Sequence, residues 1–293
     1  MKILVTGAAG MLGSALCPTL TQRGHKVFAT DVTAVDEGIK YLDVRDYKQL
    51  EETVGKIKPD MVMHLAAETD VDKCELEPDH AFLTNTIGTQ NVTLACQKQD
   101  ILMVYISTIG VFYGDKIEPY TEFDTPNPIN IYGRSKLEGE KIVQNLLKKY
   151  YIVRAGWMVG GGPKKDKKFI GKIIKQMNET NWLKAVNDKI GSPTYTVDFS
   201  RCLTDLIETG YYGLYHCTNK GYCSRFDVAK KIVELLGRSA DVTVEPVSSA
   251  HFPLPAARAR SEMSRNYKLE LLCKDTMRHW EEGLKEYIDS SWL

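Results

Sequence analysis

The 293-residue sequence predicts an α/β fold, in which a doubly wound parallel sheet is followed by a smaller C-terminal α/β lobe. Three observations predict it: a glycine-rich turn after the first strand, alternating strand and helix patterns over residues 1–155, and the loss of that alternation over 156–293. Such alternation is typical of parallel sheets with helices on both faces. We therefore expect a first domain over 1–155 and a second lobe over most of 156–293.

The first strand is the apolar run 3–5, and the glycine turn 7–13 leads from it into a helix. Glycines at this turn let the backbone approach a pyrophosphate, which the free N–H groups of the helix N-terminus bind. A tight turn without a ligand is the alternative. The pattern predicts a Rossmann-type dinucleotide site that uses Gly7, Gly10, Met11, Leu12 and Gly13.

Further strands are predicted at 26–31, 39–42, 61–65, 102–106 and 151–153, with helices near 46–57, 78–98 and 134–149. Asp31 ends the second strand, about 20 residues beyond the glycine turn, where a carboxylate accepts hydrogen bonds from the adenosine ribose. Asp31 therefore favours NADH over NADPH, although an acid that only caps a loop is the alternative.

The second half contains a helix near 169–177, and part of 183–217 is expected to return to the main sheet. A short strand is predicted over 242–247. Arg258 follows a proline-rich turn and can bind a diphosphate with its forked guanidinium group, or it can lie in a surface turn.

Tyr132 and Lys136 are four residues apart, a spacing that places both on one face of a helix. We expect the ammonium group to lower the pKa of the phenol, which is about 10 in free tyrosine, so that Tyr132 can donate a proton near neutral pH. Thr108 follows the strand 102–106 and adds a hydroxyl at the same edge of the sheet. Beside a dinucleotide turn, these three residues indicate hydride transfer to a carbonyl.

Composition excludes several classes of protein. Lys+Arg and Asp+Glu both number 38, so no basic surface indicates a nucleic acid or an anionic membrane. The seven cysteines are scattered and indicate free thiols in a reducing compartment. The short apolar run at the N-terminus ends too early for a secretion signal, and we expect a cytoplasmic protein.

These motifs resemble the extended short-chain dehydrogenase/reductase family, and more narrowly its dTDP-4-dehydrorhamnose reductase branch. The resemblance covers nearly the whole chain, and five segments carry it: 7–13, 66–73, 106–108, 119–122 with 126–140, and 187–194.

The resemblance implies catalytic roles for Thr108, Tyr132 and Lys136. It implies that Thr69 and Val71 line a sugar pocket, and that Trp157 packs near the substrate, although Trp157 can also serve lobe packing. It implies further cofactor contacts from Asp43, Val44, Leu65, Ala66 and Ala67.

The implied activity is NAD(P)H-dependent reduction of the C4 ketone of a nucleotide-diphospho-4-keto-6-deoxyhexose, such as dTDP-4-dehydrorhamnose, in the biosynthesis of dTDP-L-rhamnose and cell-surface polysaccharide. The partner is then a nucleotide sugar, and the protein is a monomer or a homodimer. A nucleotide-sugar 4-epimerase and an NADP-binding regulatory subunit are alternatives. A 4,6-dehydratase is disfavoured, because Ile109 and Gly110 replace the Asp-Glu pair of such enzymes.

The sequence departs from the family pattern in three places. Gly110 stands where the family directs an aromatic hydroxyl at the sugar, and residues 258–264 lose the pattern Arg-Pro-x-x-Ser-x-Leu. Both changes imply an altered substrate pocket. Ala15 replaces a glutamate that binds magnesium in some relatives, so we expect no metal site.

Overall fold

The computed structural model describes residues 1–33 and 38–293 of the chain. Its strands, within these residues, are β1 (Lys2–Thr6), β2 (Lys26–Asp31), β3 (Ile39–Tyr41), β4 (Met61–His64), β5 (Leu102–Thr108), β6 (Tyr150–Ala155), β7 (Trp157–Val159), β8 (Trp182–Val186), β9 (Ile190–Gly191), β10 (Pro193–Tyr195), β11 (Gly213–His216), β12 (Cys223–Ser224), β13 (Thr243–Val247) and β14 (Ser261–Glu262).

The helices of the same residues are α1 (Met11–Gln22), α2 (Tyr47–Ile57), α3 (Val71–Leu76), α4 (Pro78–Phe82), α5 (Gly88–Gln99), α6 (Ile131–Leu146), α7 (Gly162–Lys165), α8 (Phe169–Glu179), α9 (Thr196–Ile207), α10 (Arg225–Leu235), α11 (Tyr267–Leu271) and α12 (Trp280–Ser291). None of these helices is long and apolar enough to cross a lipid bilayer.

Seven parallel strands form the main sheet, in the order β11-β6-β5-β4-β1-β2-β3. The order 3-2-1-4-5-6 is that of doubly wound dinucleotide-binding sheets, and β11 extends it by one strand. The predicted fold class is therefore confirmed.

Both faces of the main sheet are buried. Ile3 and Val5 of β1 pack in one apolar cluster with α1 and α9, whereas Leu4 packs in a second cluster with α2 and α5. Successive side chains of a strand point to opposite faces, so a strand covered on both sides must be apolar throughout. This explains why the sheet strands appear in the sequence as short continuous apolar runs.

Two predicted helices differ from the structure. The predicted helix 78–98 consists of α4, a π-helical turn at Leu83–Ile87, and α5. The helix predicted at 134–149 begins earlier, because the Asn130 side chain accepts a hydrogen bond (2.8 Å) from the amide of Gly133 and so caps α6. Tyr132 consequently lies in the first turn of α6.

The second lobe has its own apolar core, which is built from α8, β8, α10 and α12. There β8 pairs in parallel with β13. A small sheet, in the order β12-β9-β14, lies beside this core. The chain returns to the main sheet through α9, which packs against α1, and through β11, which pairs with β6.

Candidate active site

The glycine loop joins β1 to α1 at the carboxyl edge of the sheet. Gly7 has a φ of +73°, and a Cβ atom there would lie 2.5 Å from the amide nitrogen of Ala66. Only glycine fits this close approach. Gly10 caps α1, and Met11, Leu12 and Gly13 form its first turn. The loop therefore presents bare backbone and the N-terminus of a helix, both of which suit a phosphate group.

Asp31 lies at the end of β2 and supports this loop from the side. One carboxylate oxygen accepts a hydrogen bond from the amide of Ala9, and the other accepts one from the amide of Thr33, both at 2.9 Å. The carboxylate thus fixes the loop and keeps a negative charge beside it.

The other predicted cofactor residues lie along the same edge. Asp43 forms a bidentate pair with Arg45, whose hydrogen bond lowers the pKa of the Asp43 carboxyl group. Val44 is buried. Leu65, Ala66 and Ala67 directly follow β4, and Ala66 lies against Gly7.

Gly133 brings α6 against the turn that follows β5. A Cβ atom at Gly133 would lie 2.3 Å from the carbonyl oxygen of Gly110, so a side chain there would push the helix away. Thr108 is the last residue of β5, and its Oγ1 accepts a hydrogen bond (3.0 Å) from the amide of Gly110. The first turn of α6, with Tyr132, therefore packs beside Thr108.

Burial controls the protonation of Tyr132. Desolvation raises the pKa of its phenol to about 12, while the neighbouring Thr108 hydroxyl acts in the opposite direction. The expectation that Lys136 lowers this pKa is wrong for the protein without ligands. The physical reason is that burial disfavours the charged phenolate, and the negative charge of Glu262 raises the pKa further.

Lys136 is buried one turn along α6. Its ammonium nitrogen lies 4.2 Å from the centre of the Tyr105 ring, a cation–π contact, and the Tyr105 hydroxyl donates to the Lys136 carbonyl oxygen at 3.2 Å. Burial lowers the pKa of Lys136 to about 7. No ion pair of Lys136 occurs within the described part of the chain.

A buried ion pair joins α6 to the main sheet. The Arg154 guanidinium forms two hydrogen bonds with the Glu140 carboxylate, at 2.9 and 2.7 Å, and Ser107 donates to the same carboxylate. Glu140 lies one turn beyond Lys136 on α6, whereas Arg154 belongs to β6. The pair therefore fixes α6 to the two strands beneath it.

Asn85 is a residue of this site that the sequence reasoning missed. It is fully buried in the π-helical turn, accepts from the amide of Glu68 (2.8 Å), and donates to the Glu68 carbonyl oxygen and to Ser135 Oγ. It thereby connects the loop after β4 to α6. The available signal was a polar amide inside a predicted helix, since a buried amide must find partners.

Apart from Thr108, the predicted substrate residues lie in the segment after β4 or in the second half of the chain. Thr69 is exposed and Val71 is the first residue of α3. Arg258 forms a hydrogen-bonded ion pair (2.9 Å) with Asp72, so its guanidinium group already has a partner beside Val71. Trp157 follows β6 and donates from Nε1 to Glu262 at 2.6 Å.

No cluster of three or more His, Cys, Asp or Glu side chains suited to a metal ion occurs within residues 1–33 and 38–293.

Comparison with known proteins extends over the whole chain. The family model of the RmlD substrate binding domain matches residues 1–292. The spore coat polysaccharide biosynthesis protein SpsK of Bacillus subtilis is 35% identical over 288 residues, which cover 98% of this chain and 96% of SpsK.

Two solved structures of dTDP-4-dehydrorhamnose reductases are also similar. The Clostridium acetobutylicum protein superposes with a TM-score of 0.92 at 42% identity, and the alignment covers 99% of both chains. The Bacillus anthracis protein, solved in complex with NADP, has a TM-score of 0.92 at 38% identity and the same coverage. The predicted resemblance is confirmed, and this chain belongs to the RmlD substrate binding domain family.

Proposed function

We propose that this protein reduces the C4 ketone of dTDP-4-dehydrorhamnose with NADH or NADPH and so produces dTDP-L-rhamnose. The observation that carries the proposal is the packing of Thr108 against the first turn of α6, which presents Tyr132 and Lys136 from one helix. This set lies at the same sheet edge as the glycine loop. Reductases of this name resemble the chain over 99% of its length.

The glycine loop fits a dinucleotide. Its backbone approaches Ala66 so closely at Gly7 that no side chain fits, and the N-terminus of α1 adds amide groups for a pyrophosphate. We assign the cofactor to Gly7, Gly10, Met11, Leu12, Gly13, Asp31, Asp43, Val44, Leu65, Ala66, Ala67, Tyr132 and Lys136. When bound, the reduced nicotinamide supplies the hydride.

Two hydroxyl groups act on the ketone oxygen. Thr108 Oγ1 accepts from the amide of Gly110, which leaves its own hydrogen free to donate to the carbonyl oxygen of the sugar. Tyr132 stays protonated at neutral pH, because burial raises its pKa to about 12. An alkoxide is a stronger base than a phenolate, so Tyr132 can donate its proton as negative charge develops on that oxygen.

Lys136 is the third proposed catalytic residue, and it acts through its positive charge. It lies one turn from Tyr132 on the same face of α6, where an ammonium group stabilises a developing phenolate and can donate to a ribose hydroxyl. Its pKa of about 7 leaves it partly charged at neutral pH.

We assign the dinucleotide to the domain 1–155 and the nucleotide sugar to the cleft between that domain and the lobe 156–293. Thr69, Val71, Thr108, Trp157 and Arg258 are its proposed contacts. The Asp31 carboxylate repels a 2′-phosphate, so we propose a preference for NADH, although the Bacillus anthracis relative was solved with NADP. We further propose a cytoplasmic monomer or homodimer that binds neither nucleic acid nor membrane.

The test mixes purified protein with dTDP-4-dehydrorhamnose and with either NADH or NADPH, and follows the absorbance of the reduced cofactor. We expect one equivalent of cofactor to be oxidised for each sugar reduced, faster with NADH. A panel of 4-keto-6-deoxyhexoses on different nucleotides then defines the carrier. Absence of cofactor oxidation with every member of the panel would refute the proposal.

Two further observations separate the alternatives. An epimerase would keep tightly bound NAD through purification and convert its sugar without net oxidation of added cofactor. A regulatory subunit would keep its biological effect when Tyr132 is replaced by Phe. We expect neither result.

A further inference from the structure

Glu262 places a carboxylate from the second lobe beside the reacting residues. It lies in β14, which pairs in parallel with β9 and so sits opposite Gly191. One of its oxygens, Oε2, accepts a hydrogen bond (2.6 Å) from Trp157 Nε1. Within the described residues, the other oxygen, Oε1, has no hydrogen-bond partner.

The free oxygen faces the space in front of Gly110. A Cβ atom built on Gly110 would lie 3.2 Å from Thr108 Oγ1 and 3.3 Å from Glu262 Oε1. Because residue 110 has no side chain, this space stays open between the two oxygens. The Glu262 charge also reaches the Tyr132 phenol and helps to raise its pKa. A substrate held by Thr108 and Tyr132 therefore comes within reach of Glu262.

The carboxylate is held in this orientation by its surroundings. The Arg225 guanidinium stacks on the Trp157 ring at 3.8 Å, and the opposite charge of Glu262 counteracts the lowering of the Arg225 pKa by burial. The Trp157 ring also packs on the bare backbone of Gly191, where a Cβ atom would lie 2.5 Å from it. With Trp157 fixed, Oε2 is fixed and Oε1 points to the cleft.

We infer that Glu262 Oε1 accepts a hydrogen bond from the hydroxyl group on C3 of the sugar, next to the ketone. The inference rests on the proposed function, in which Thr108 and Tyr132 hold the oxygen on C4. Of the two carbons beside C4, C3 carries a hydroxyl group, whereas C5 carries the ring oxygen and a methyl group. A carboxylate is only an acceptor, so the C3 hydroxyl group is the donor that suits it.

This contact makes Glu262 a specificity-determining residue. A sugar that lacks the C3 hydroxyl group would leave Oε1 without its donor in a cleft that the substrate shields from water. Such a substrate is rejected because the site retains an unpaired charge rather than because it is too small.

Glu262→Gln tests the inference with little change of shape. The amide oxygen of Gln can still accept from Trp157 Nε1, but its NH₂ group then replaces Oε1 and presents a donor to the sugar. We expect kcat/KM for a 3-hydroxy substrate to fall about tenfold or more, and that for its 3-deoxy analogue to stay within about twofold. Glu138→Gln, on the exposed part of α6, is the matched control and should change neither value.

Binding supplies a readout that does not depend on turnover. Calorimetry with dTDP-L-rhamnose and its 3-deoxy analogue should show the same selective loss in Glu262→Gln, even if the reduction assay refutes the proposed function. Equal losses for both ligands, or no loss for either, would overturn the inference. A melting temperature of Glu262→Gln close to that of the parent protein shows that the variant is folded.

Discussion

The proposed site has two surfaces, and they are built in different ways. Tyr132 and Lys136 come from one turn of one helix, whose cap at Asn130 fixes where that turn begins. On the other side, Trp157 and Glu262 are 105 residues apart in the sequence and meet only because β9 aligns β14 beside them. The proposed proton transfer thus depends on local spacing, whereas the proposed substrate recognition depends on tertiary pairing.

The two surfaces also differ in charge balance. Lys136 is buried against an aromatic ring, and its pKa falls to about 7. Arg225 is buried as well, but Glu262 balances part of its charge and its pKa falls only to about 10. Lys136, the proposed catalytic lysine, is thus poised to change charge near neutral pH, while Arg225 stays charged.

Among the variants that test this comparison, Tyr132→Phe should have the largest effect. Removal of the phenol hydroxyl takes away the proposed proton donor, so we expect kcat to fall by about 10²–10⁴ for every accepted sugar. Steady-state kinetics on the substrate panel measures this. Tyr211→Phe removes an exposed hydroxyl elsewhere and should leave kcat unchanged. A loss confined to some sugars would instead place Tyr132 in recognition.

Lys136→Met should change how stability depends on pH. Folding lowers the pKa of Lys136 from 10.5 to about 7. Below about pH 7 the lysine is charged in the folded and the unfolded protein, and its buried charge destabilises the fold fully. Above pH 10.5 it is neutral in both states, and this destabilisation is absent. At about pH 6 we expect the variant to gain free energy of unfolding, on the order of a few kcal/mol, less the lost contact with Tyr105. This gain should disappear near pH 11.

Urea denaturation of both proteins across this pH range measures the difference. Lys141→Met replaces an exposed lysine of the same helix, and its small effect should be independent of pH. If the free energy of unfolding depends on pH in the same way in the parent protein and in Lys136→Met, the buried charge of Lys136 does not destabilise the fold.

Arg258→Ala should have the smallest effect. Its pair with Asp72 is about one-third exposed, and such pairs stabilise proteins by about 1 kcal/mol or less. We expect a similarly small stability loss in Arg238→Ala, which breaks a surface pair with Asp241. If Arg258 binds the diphosphate, only its variant raises KM. An unchanged KM in Arg258→Ala would limit its role to the ion pair.

The features that depend on neighbouring residues could be predicted from the sequence. The glycine turn, the apolar runs of the sheet and the spacing of Tyr132 and Lys136 are local patterns, and the structure contains the sheet and the helix that they predict. The roles of the individual site residues stay predictions. Asn85 and Glu262 were missed because their partners come from distant segments. A polar amide inside a predicted helix was the one signal for Asn85, and no local pattern marks Glu262.

The error over Tyr132 has a related cause. Spacing alone shows that an ammonium group and a phenol share a helix face, but it does not show how much water surrounds them. Desolvation is set by the packing of the whole cleft, and it raises the pKa of Tyr132 instead of lowering it.

The return of α9 and β11 to the main sheet limits how the gene can be divided. A fragment ending at residue 155 would contain the glycine loop and α6, yet it would lack α9, which packs against α1. The apolar cluster that Leu12, Leu16 and Leu20 share with α9 would then lose the α9 side chains and be partly exposed. Such a fragment would be prone to self-association, so residues 1–155 cannot be excised as a separate domain.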